Sequence, residues 1–269
     1  MESFLKTLSD TQPLVILIML IVMFSIENVW PYLPKPGNRK RHDSRNYILS
    51  FISLAVNIFA GIISIIVLQF VANRNLGLLN WIPLTLVLKI TLGVFLIDFG
   101  SYCGHVLAHK VPLLWRSHRV HHSDPNLMSS SSLRFHPFDV LYSQLLWFAV
   151  VYIVFGISME SFIIYGSLLI PLLICQHSNV KFPDWFEKYV RYLFSTPGWH
   201  KIHHGADQTY TDSHYGDLFT LWDRLFGTYH NVHPDEIAFG LNEFNDDKQH
   251  KVGYLLSVPF KNLNPKIKD

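Results

Sequence analysis

Residues 47–72 run without a charged side chain, and this run limits the possible folds more than any other feature of the chain. As a helix at 1.5 Å per residue it would measure about 39 Å, enough to cross a bilayer core of about 30 Å. Four further apolar stretches accompany it. Residues 14–26 are uninterrupted apolar but fall short of a full span. Residues 82–103 are broken only by Lys89 and Asp98. Residues 140–156 and 159–175 sit at the lower limit for spanning, with a turn expected at 156–158. The last two read as a pair of spans or as a shallow hairpin. The leader carries Glu2, Lys6 and Asp10 and lacks the basic start of a signal peptide, so 14–26 reads as a retained span. With 49% hydrophobic and only 16% charged residues, against about 25% charged in a soluble domain, the composition agrees.

Net charge is +2 and no basic block is interleaved with aromatics, so the chain lacks the footprint of a nucleic-acid binder. Cys103 and Cys175 lie in apolar stretches and read as small buried hydrophobes. Lys35, Arg39, Lys40, Arg41 and Arg45 crowd the loop before the long span, whereas Arg74 stands alone after it. By the positive-inside rule the first loop is cytoplasmic. The third stretch then ends on the cytoplasmic side, and the pair at 140–175 returns there.

What arrives on that side is histidine. Residues 105–122 read HVLAHKVPLLWRSHRVHH, giving His105-x3-His109 and His118-x2-His121-His122. A second HxxHH, His200-x2-His203-His204, follows. With 15 histidines in 269 residues, chance predicts about 0.05 copies of HxxHH. Positions i, i+3 and i+4 share a helical face, so each motif is expected to present its imidazoles together. Pro112 suits the first turn of a helix ending at Ser123-Asp124-Pro125. Thr196-Pro197 forms a cap and first turn, with Gly205 as a stop.

These eight histidines read as metal ligands, and His177, where the returning segment reaches the same face, as a ninth. His136 is a further candidate. Such a set exceeds the four to six ligands of one ion, so two ions are implied. Asp98 falls within about 20° of His105 and His109 on a helical wheel and is expected to accept an outer imidazole N–H. His42, His230, His233 and His250 lie in polar stretches and read as solvated; His214 is undecided. Imidazole suits iron, zinc, copper and nickel alike. H-E-x-x-H and Glu-x-x-His pairs are absent from the sequence, which argues against a zinc peptidase of that type and a carboxylate di-iron bundle.

The histidine series, with DFGSYCGHVLAH, LWRSHRVHHS, RFHP, QHSN, TPGWHKIHH and YGDLFTLWDRLFGTY around it, resembles the fatty acid hydroxylase/sterol desaturase superfamily of integral-membrane diiron oxygenases. The similarity covers about residues 90–230. His214 stands where Asn is expected before Tyr-Gly. Gly104 and Lys110 stand where an aromatic and an arginine are more usual. The resemblance implies an all-α, polytopic membrane bundle of four or five segments under a cytoplasmic, histidine-rich helical cap holding two iron ions, with zinc possible as isolated. It implies O2 as co-substrate and hydroxylation, over desaturation, of a lipid such as a sterol or fatty acyl chain.

Residues 1–80 would then be N-terminal spans, 81–235 the catalytic domain and 236–269 a tail. Trp147, Phe148, Tyr152, Phe155, Trp185 and Phe186 are candidates for the lipid route. No dinucleotide fingerprint or cysteine cluster supplies electrons, so an external donor is implied, a cytochrome b5-like protein or a ferredoxin with its reductase. Lys110, Arg116 and Arg119 are candidates to dock it or to meet anionic lipid. The membrane would be a bacterial inner membrane or the endoplasmic reticulum, according to source. Competing readings are a membrane-anchored dizinc hydrolase, a metal transporter and a haem-binding carrier. A transporter would place its ligands near the midplane, not at span ends.

Overall fold

The computed structural model describes residues 2–262. Its elements are α1 (Glu2–Val29), α2 (Arg39–Asn73), α3 (Leu78–Trp81), α4 (Leu86–Lys110), α5 (Pro112–His122) and α6 (Pro137–Val140). A π-helical stretch, Leu141–Trp147, leads into α7 (Phe148–Phe155). Then follow α8 (Met159–His177), α9 (Asp184–Val190), α10 (Pro197–His203), α11 (Gln208–Thr211), α12 (Leu221–Phe226) and α13 (Val252–Ser257). The described residues contain no named strand, only the isolated bridges Phe194–Phe219 and Gly205–Phe239. The all-α expectation holds.

Five helical segments are long and apolar enough to cross a membrane: Ser3–Val29, Arg39–Trp81, Leu86–Lys110, Pro137–Phe155 and Met159–His177. Much of their apolar surface faces outward. Phe51 is 75% exposed and Val87 74%, an arrangement suited to lipid rather than water. The first two are longer than the sequence suggests, because α1 takes in the polar leader and α2 the basic residues from Arg39 onward. Asn38 caps α2, its side chain accepting from the Arg41 N–H at 3.0 Å.

The expected turn lies at Gly156, which ends α7 with a φ of 71°. Ser158 then caps α8 by accepting from the Ser161 N–H. Gly156 also lies against Gly77, where an added Cβ would come within 2.5 Å of Gly156 Cα. Only two residues without side chains allow the backbones to approach this closely.

An apolar cluster including Val94, Ile97, Val151, Tyr152, Ile157 and Tyr165 joins α4, α7 and α8. A second cluster packs Leu241, Phe244, Leu255 and Val258 of the C-terminal region against Leu49 of α2 and Val120 of α5. A buried polar tie fastens α1 to the helices behind it. Glu27 accepts from the Ser129 N–H at 2.6 Å, the Asn179 N–H at 2.9 Å and the Arg39 guanidinium.

Candidate metal centre

The histidines converge at one end of the long helices. His105 and His109 stand on the last turns of α4, and α5 carries His118, His121 and His122. His177 closes α8, α10 carries His200 and His203, and His204 is its C-cap. Local signals start the short helices as expected. Pro112 occupies the first turn of α5, and the Thr196 side chain accepts from the Trp199 N–H at the start of α10.

The nine imidazoles divide into two groups. His105, His109, His118, His122 and His203 form one; His121, His177, His200 and His204 form the other. Within each group the facing ring nitrogens lie within 4.8 Å of one another. Each HxxHH therefore splits, contrary to the expectation that its imidazoles act together. At about 100° per residue, the first and last histidines of the motif lie about 40° apart, while the middle one points about 60° to the other side. So α5 gives His118 and His122 to the first group and His121 to the second. In α10 the shares are reversed: His200 and His204 go to the second group and His203 to the first.

The nitrogen spacing fits a metal ion. His177 Nε2 lies 3.1 Å from Nε2 of each of His121, His200 and His204, and His200 and His204 are 3.1 Å apart. In the first group, His105–His203 is 3.0 Å and His118–His122 is 3.3 Å. Nitrogens about 2.0–2.1 Å from a common ion, at tetrahedral or octahedral angles, would be about 2.8–3.4 Å apart.

Hydrogen bonds among the rings do not explain these distances. Nδ1 of His105 donates to the Tyr215 carbonyl at 2.9 Å, and Nδ1 of His203 donates to that of Ser213 at 2.7 Å. With the protons on Nδ1, both neutral rings point lone pairs at each other, an arrangement that a cation between them relieves. His177 is set in the same way by the Leu173 carbonyl at 2.7 Å. His118 donates from Nδ1 to Asp139 at 3.1 Å, and His109 Nδ1 lies 3.4 Å from Asp212. His109 Nε2 is buried without a hydrogen-bond partner. Burial, and after it the neighbouring imidazoles, push His121, His122, His200, His203 and His204 well below the ordinary histidine range. Neutral imidazole is the form that binds a metal.

Several expectations are corrected. Asp98 does not meet an imidazole. Its oxygens accept from Tyr165 Oη at 3.1 Å, the Leu218 and Phe219 N–H groups at 3.1 and 3.2 Å, and Trp222 Nε1 at 2.8 Å. It shares a helical face with His105 but lies about 10 Å below it along the axis. The carboxylates near the ligands are instead Asp139, Asp212 and Asp217, the last accepting from Ser101 and lying 3.7 Å from His105 Nδ1. Asp212 and Asp217 sit within or beside the YGDLFTLWDRLFGTY segment. That proximity was the available signal, but no helical periodicity links them to α4.

His136 belongs to neither group. It caps α6 by accepting from the Phe138 N–H on Nδ1, while Nε2 lies 3.2 Å from the Leu256 carbonyl. His42 and His250 are not solvated surface residues. His42 bridges Asp43 and Asp124 at 3.0 and 2.9 Å, and His250 lies 3.2 Å from Arg134. Arg119 is buried, donating to the Val258 and Lys261 carbonyls, so it cannot dock a partner. Lys110 pairs with Asp212 at 2.8 Å, and Arg116 donates to the Pro259 carbonyl and Asn262.

A cavity of about 330 Å³ opens against both groups, lined by His105, His118, His121, His177 and His200. Its other walls include Phe135, Trp147, Phe148, Leu169, Ile170 and Leu173, with Ser53 and Asn57. No lysine or arginine lines it. Of the proposed route residues, Trp147 and Phe148 line the cavity. Tyr152 and Phe155 pack in the apolar core, and Trp185 is 62% exposed on α9.

Residues 90–228 match the family model described as fatty acid hydroxylase. Among curated proteins, the chain is 33% identical over 143 residues to the ornithine lipid hydroxylase OlsE of Rhizobium tropici, covering 53% of this chain and 42% of that one. It is 28% identical over 149 residues to the alkylglycerol monooxygenase of Xenopus tropicalis, covering 54% and 31%. It is 24% identical over 139 residues to the sphingolipid C4-hydroxylase sur2 of Schizosaccharomyces pombe, covering 50% and 45%. The match spans less than half the length of each of these relatives. No solved structure matches. The matched region holds every imidazole of both groups and runs over more than half of the chain: the protein belongs to the fatty acid hydroxylase family.

Proposed function

We propose that the protein is a membrane-bound oxygenase that hydroxylates a lipid, using two iron ions held by the two histidine groups. The observation that carries this reading is the pairing of two adjacent imidazole sets with one apolar cavity. His105, His109, His118, His122 and His203 would hold one ion; His121, His177, His200 and His204 would hold the other. When bound, the ions would supply the O2 activation needed to attack an unactivated C–H bond. The named relatives act on ornithine lipid, alkylglycerol and sphingolipid, and a lipid of this broad kind is the proposed substrate.

The chain's own residues would orient and enclose the reaction. The Tyr215, Ser213 and Leu173 carbonyls and the Asp139 carboxylate fix the tautomers so that Nε2 faces inward. Phe135, Trp147 and Phe148 exclude water and hold the lipid segment against the ring nitrogens. Gln144 of the π-helical stretch lines the cavity and is exposed, and Leu146 beside it is 60% exposed, which supports this wall as the side open to the bilayer. A lipid would enter there sideways.

The basic residues at 35–45 support a cytoplasmic active site. Residues 81–235 form the catalytic part, 1–80 the N-terminal spans and 236–269 a tail. Electrons would come from an external cytochrome b5-like protein, or from a ferredoxin with its reductase. The test joins metal analysis of protein expressed with iron supplied to a lipid comparison of hosts with and without the gene. About two iron per chain and a lipid heavier by one oxygen are expected. Protein loaded only with zinc that hydrolyses esters and leaves the lipids unoxidised would overturn the reading.

A further inference from the structure

A second cavity, of about 450 Å³, lies behind α10 and shares no lining residue with the one at the histidines. Gly198 and Lys201 line it; around the helix Gly198 lies opposite the three histidines and Lys201 to one side of them. Five cations line it: Lys181, Lys188, Arg191, Lys201 and Arg224. Its carboxylates are Asp184 and Glu187, and Glu187 is engaged by Thr196 Oγ1 at 2.5 Å and the Gly198 N–H at 3.0 Å. Among the described residues the lysine and arginine ion pairs belong to Arg39, Arg41, Arg45 and Lys110, so none of these five has a carboxylate oxygen within 4.0 Å, and the cations outnumber the two carboxylates of the lining.

The two guanidinium groups are stacked rather than paired. The Arg191 and Arg224 carbons lie 5.5 and 5.2 Å from the Trp199 ring centroid, and Arg224 is 4.9 Å from that of Tyr229. Arg191 Nε and Nη2 and Arg224 Nε are buried without an acceptor. Lys201 is 1% exposed, and its single hydrogen bond, to the Ser178 carbonyl at 2.9 Å, leaves ammonium hydrogens free. Five like charges gathered around one cavity call for an anion with several acceptor oxygens, and a guanidinium fork suits phosphate.

We propose that this cavity is a phosphate site, and that it holds the headgroup of an anionic phospholipid from the leaflet on the histidine side. The chain next to the lining residues argues for a lipid. Trp185, Tyr189 and Tyr192 on and just after α9 are each more than 60% exposed, and on α12 Leu225 is 65% and Phe226 53% exposed. Aromatic residues of this kind settle at headgroup level.

Full-length protein in neutral detergent should be titrated by native mass spectrometry with phosphatidic acid and with diacylglycerol of the same chains. One phosphatidic acid should be retained at least tenfold more tightly than diacylglycerol, and R191Q/R224Q should abolish that preference. K181Q/K188Q removes only exposed charges at the lip and should weaken retention about threefold even if the arginine variant folds poorly. Inorganic phosphate at millimolar concentration should displace the lipid only partly. Inorganic phosphate binding as tightly as phosphatidic acid would assign the site to soluble phosphate and overturn the lipid assignment. Equal retention of the two lipids by wild type, or retention unchanged in both variants, would overturn the site itself. None of these readouts depends on the metal content of the histidine groups.

Discussion

Trp147 rests on Gly104. Its indole Nε1 donates to the Gly100 carbonyl at 2.7 Å, and a Cβ on Gly104 would come within 2.6 Å of the ring. Gly104 stands where an aromatic is more usual, and here Trp147, arriving from the π-helical stretch, supplies the aromatic from the other side. G104A should push the indole into the cavity at a cost of about 1–3 kcal/mol from overpacking. The thermal midpoint should fall and oxidation of bulky lipids should fall further than that of slim ones. G104A/W147L should recover much of both losses, which a double-mutant comparison of melting and product profile would measure.

His121 and His122 are neighbours in sequence but serve different groups. H121A and H122A should therefore remove different ions. Each single variant should hold about one iron per chain and the double variant close to none, with membrane insertion unchanged and oxidation lost in all three. Metal analysis beside a membrane-fraction blot checks this. Additive loss is the signature of two separate sites; loss of both ions from either single variant would mean one shared cluster.

Much of this site is legible in the sequence because its signals are local. Pro112 and Thr196-Pro197 set the starts of α5 and α10, and the HxxHH spacing names the ligands. The division of each motif between two groups is not local. It depends on where α4 and α8 deliver His109 and His177, which no wheel drawn on one helix contains. The same holds for the polar ties. Ser129 reaches Glu27 across 102 residues and Asp124 reaches His42 across 82, so residues in stretches that look solvated become buried partners. A helical wheel gives Asp98 the direction of His105 and His109 but not the rise of about 10 Å that separates it from His105.

Asp98 anchors Leu218, Phe219 and the start of α12 at Trp222 rather than a ligand ring, and its variants can distinguish the two roles. D98A would strip acceptors from two backbone N–H groups, Trp222 and Tyr165. The loss should destabilise the fold by about 3 kcal/mol or more, since each stranded buried donor costs about 1–3 kcal/mol. D98N keeps one acceptor oxygen and should lose less. Hydrogen exchange should quicken first at residues 215–222 while metal affinity changes little in D98N. A carboxylate bonded directly to a ligand ring would instead give about a 10–100-fold loss of metal affinity.

His214 can stand where asparagine is expected because its backbone suits both residues. Its φ is 53°, in the left-handed region that asparagine and histidine enter more readily than most residues. Its ring lies 4.2 Å from that of Trp199 and 5.4 Å from that of Tyr229, contacts an asparagine cannot make. H214N should keep the backbone and lose the stacking, at about 0.5–1.5 kcal/mol. H214V loses the same stacking and adds a β-branched side chain at positive φ, so it should fall about a further 1–2 kcal/mol below H214N. The difference between the two variants, read from denaturant or thermal unfolding in detergent, combines the backbone strain with loss of an acceptor for the His230 N–H, which lies 2.9 Å from the ring of His214. Because Ser213 and Tyr215 flank this residue and supply the carbonyls that orient His203 and His105, H214V should also loosen metal binding in the first histidine group. H214N should not, and equal metal retention in both variants would separate the turn from the site.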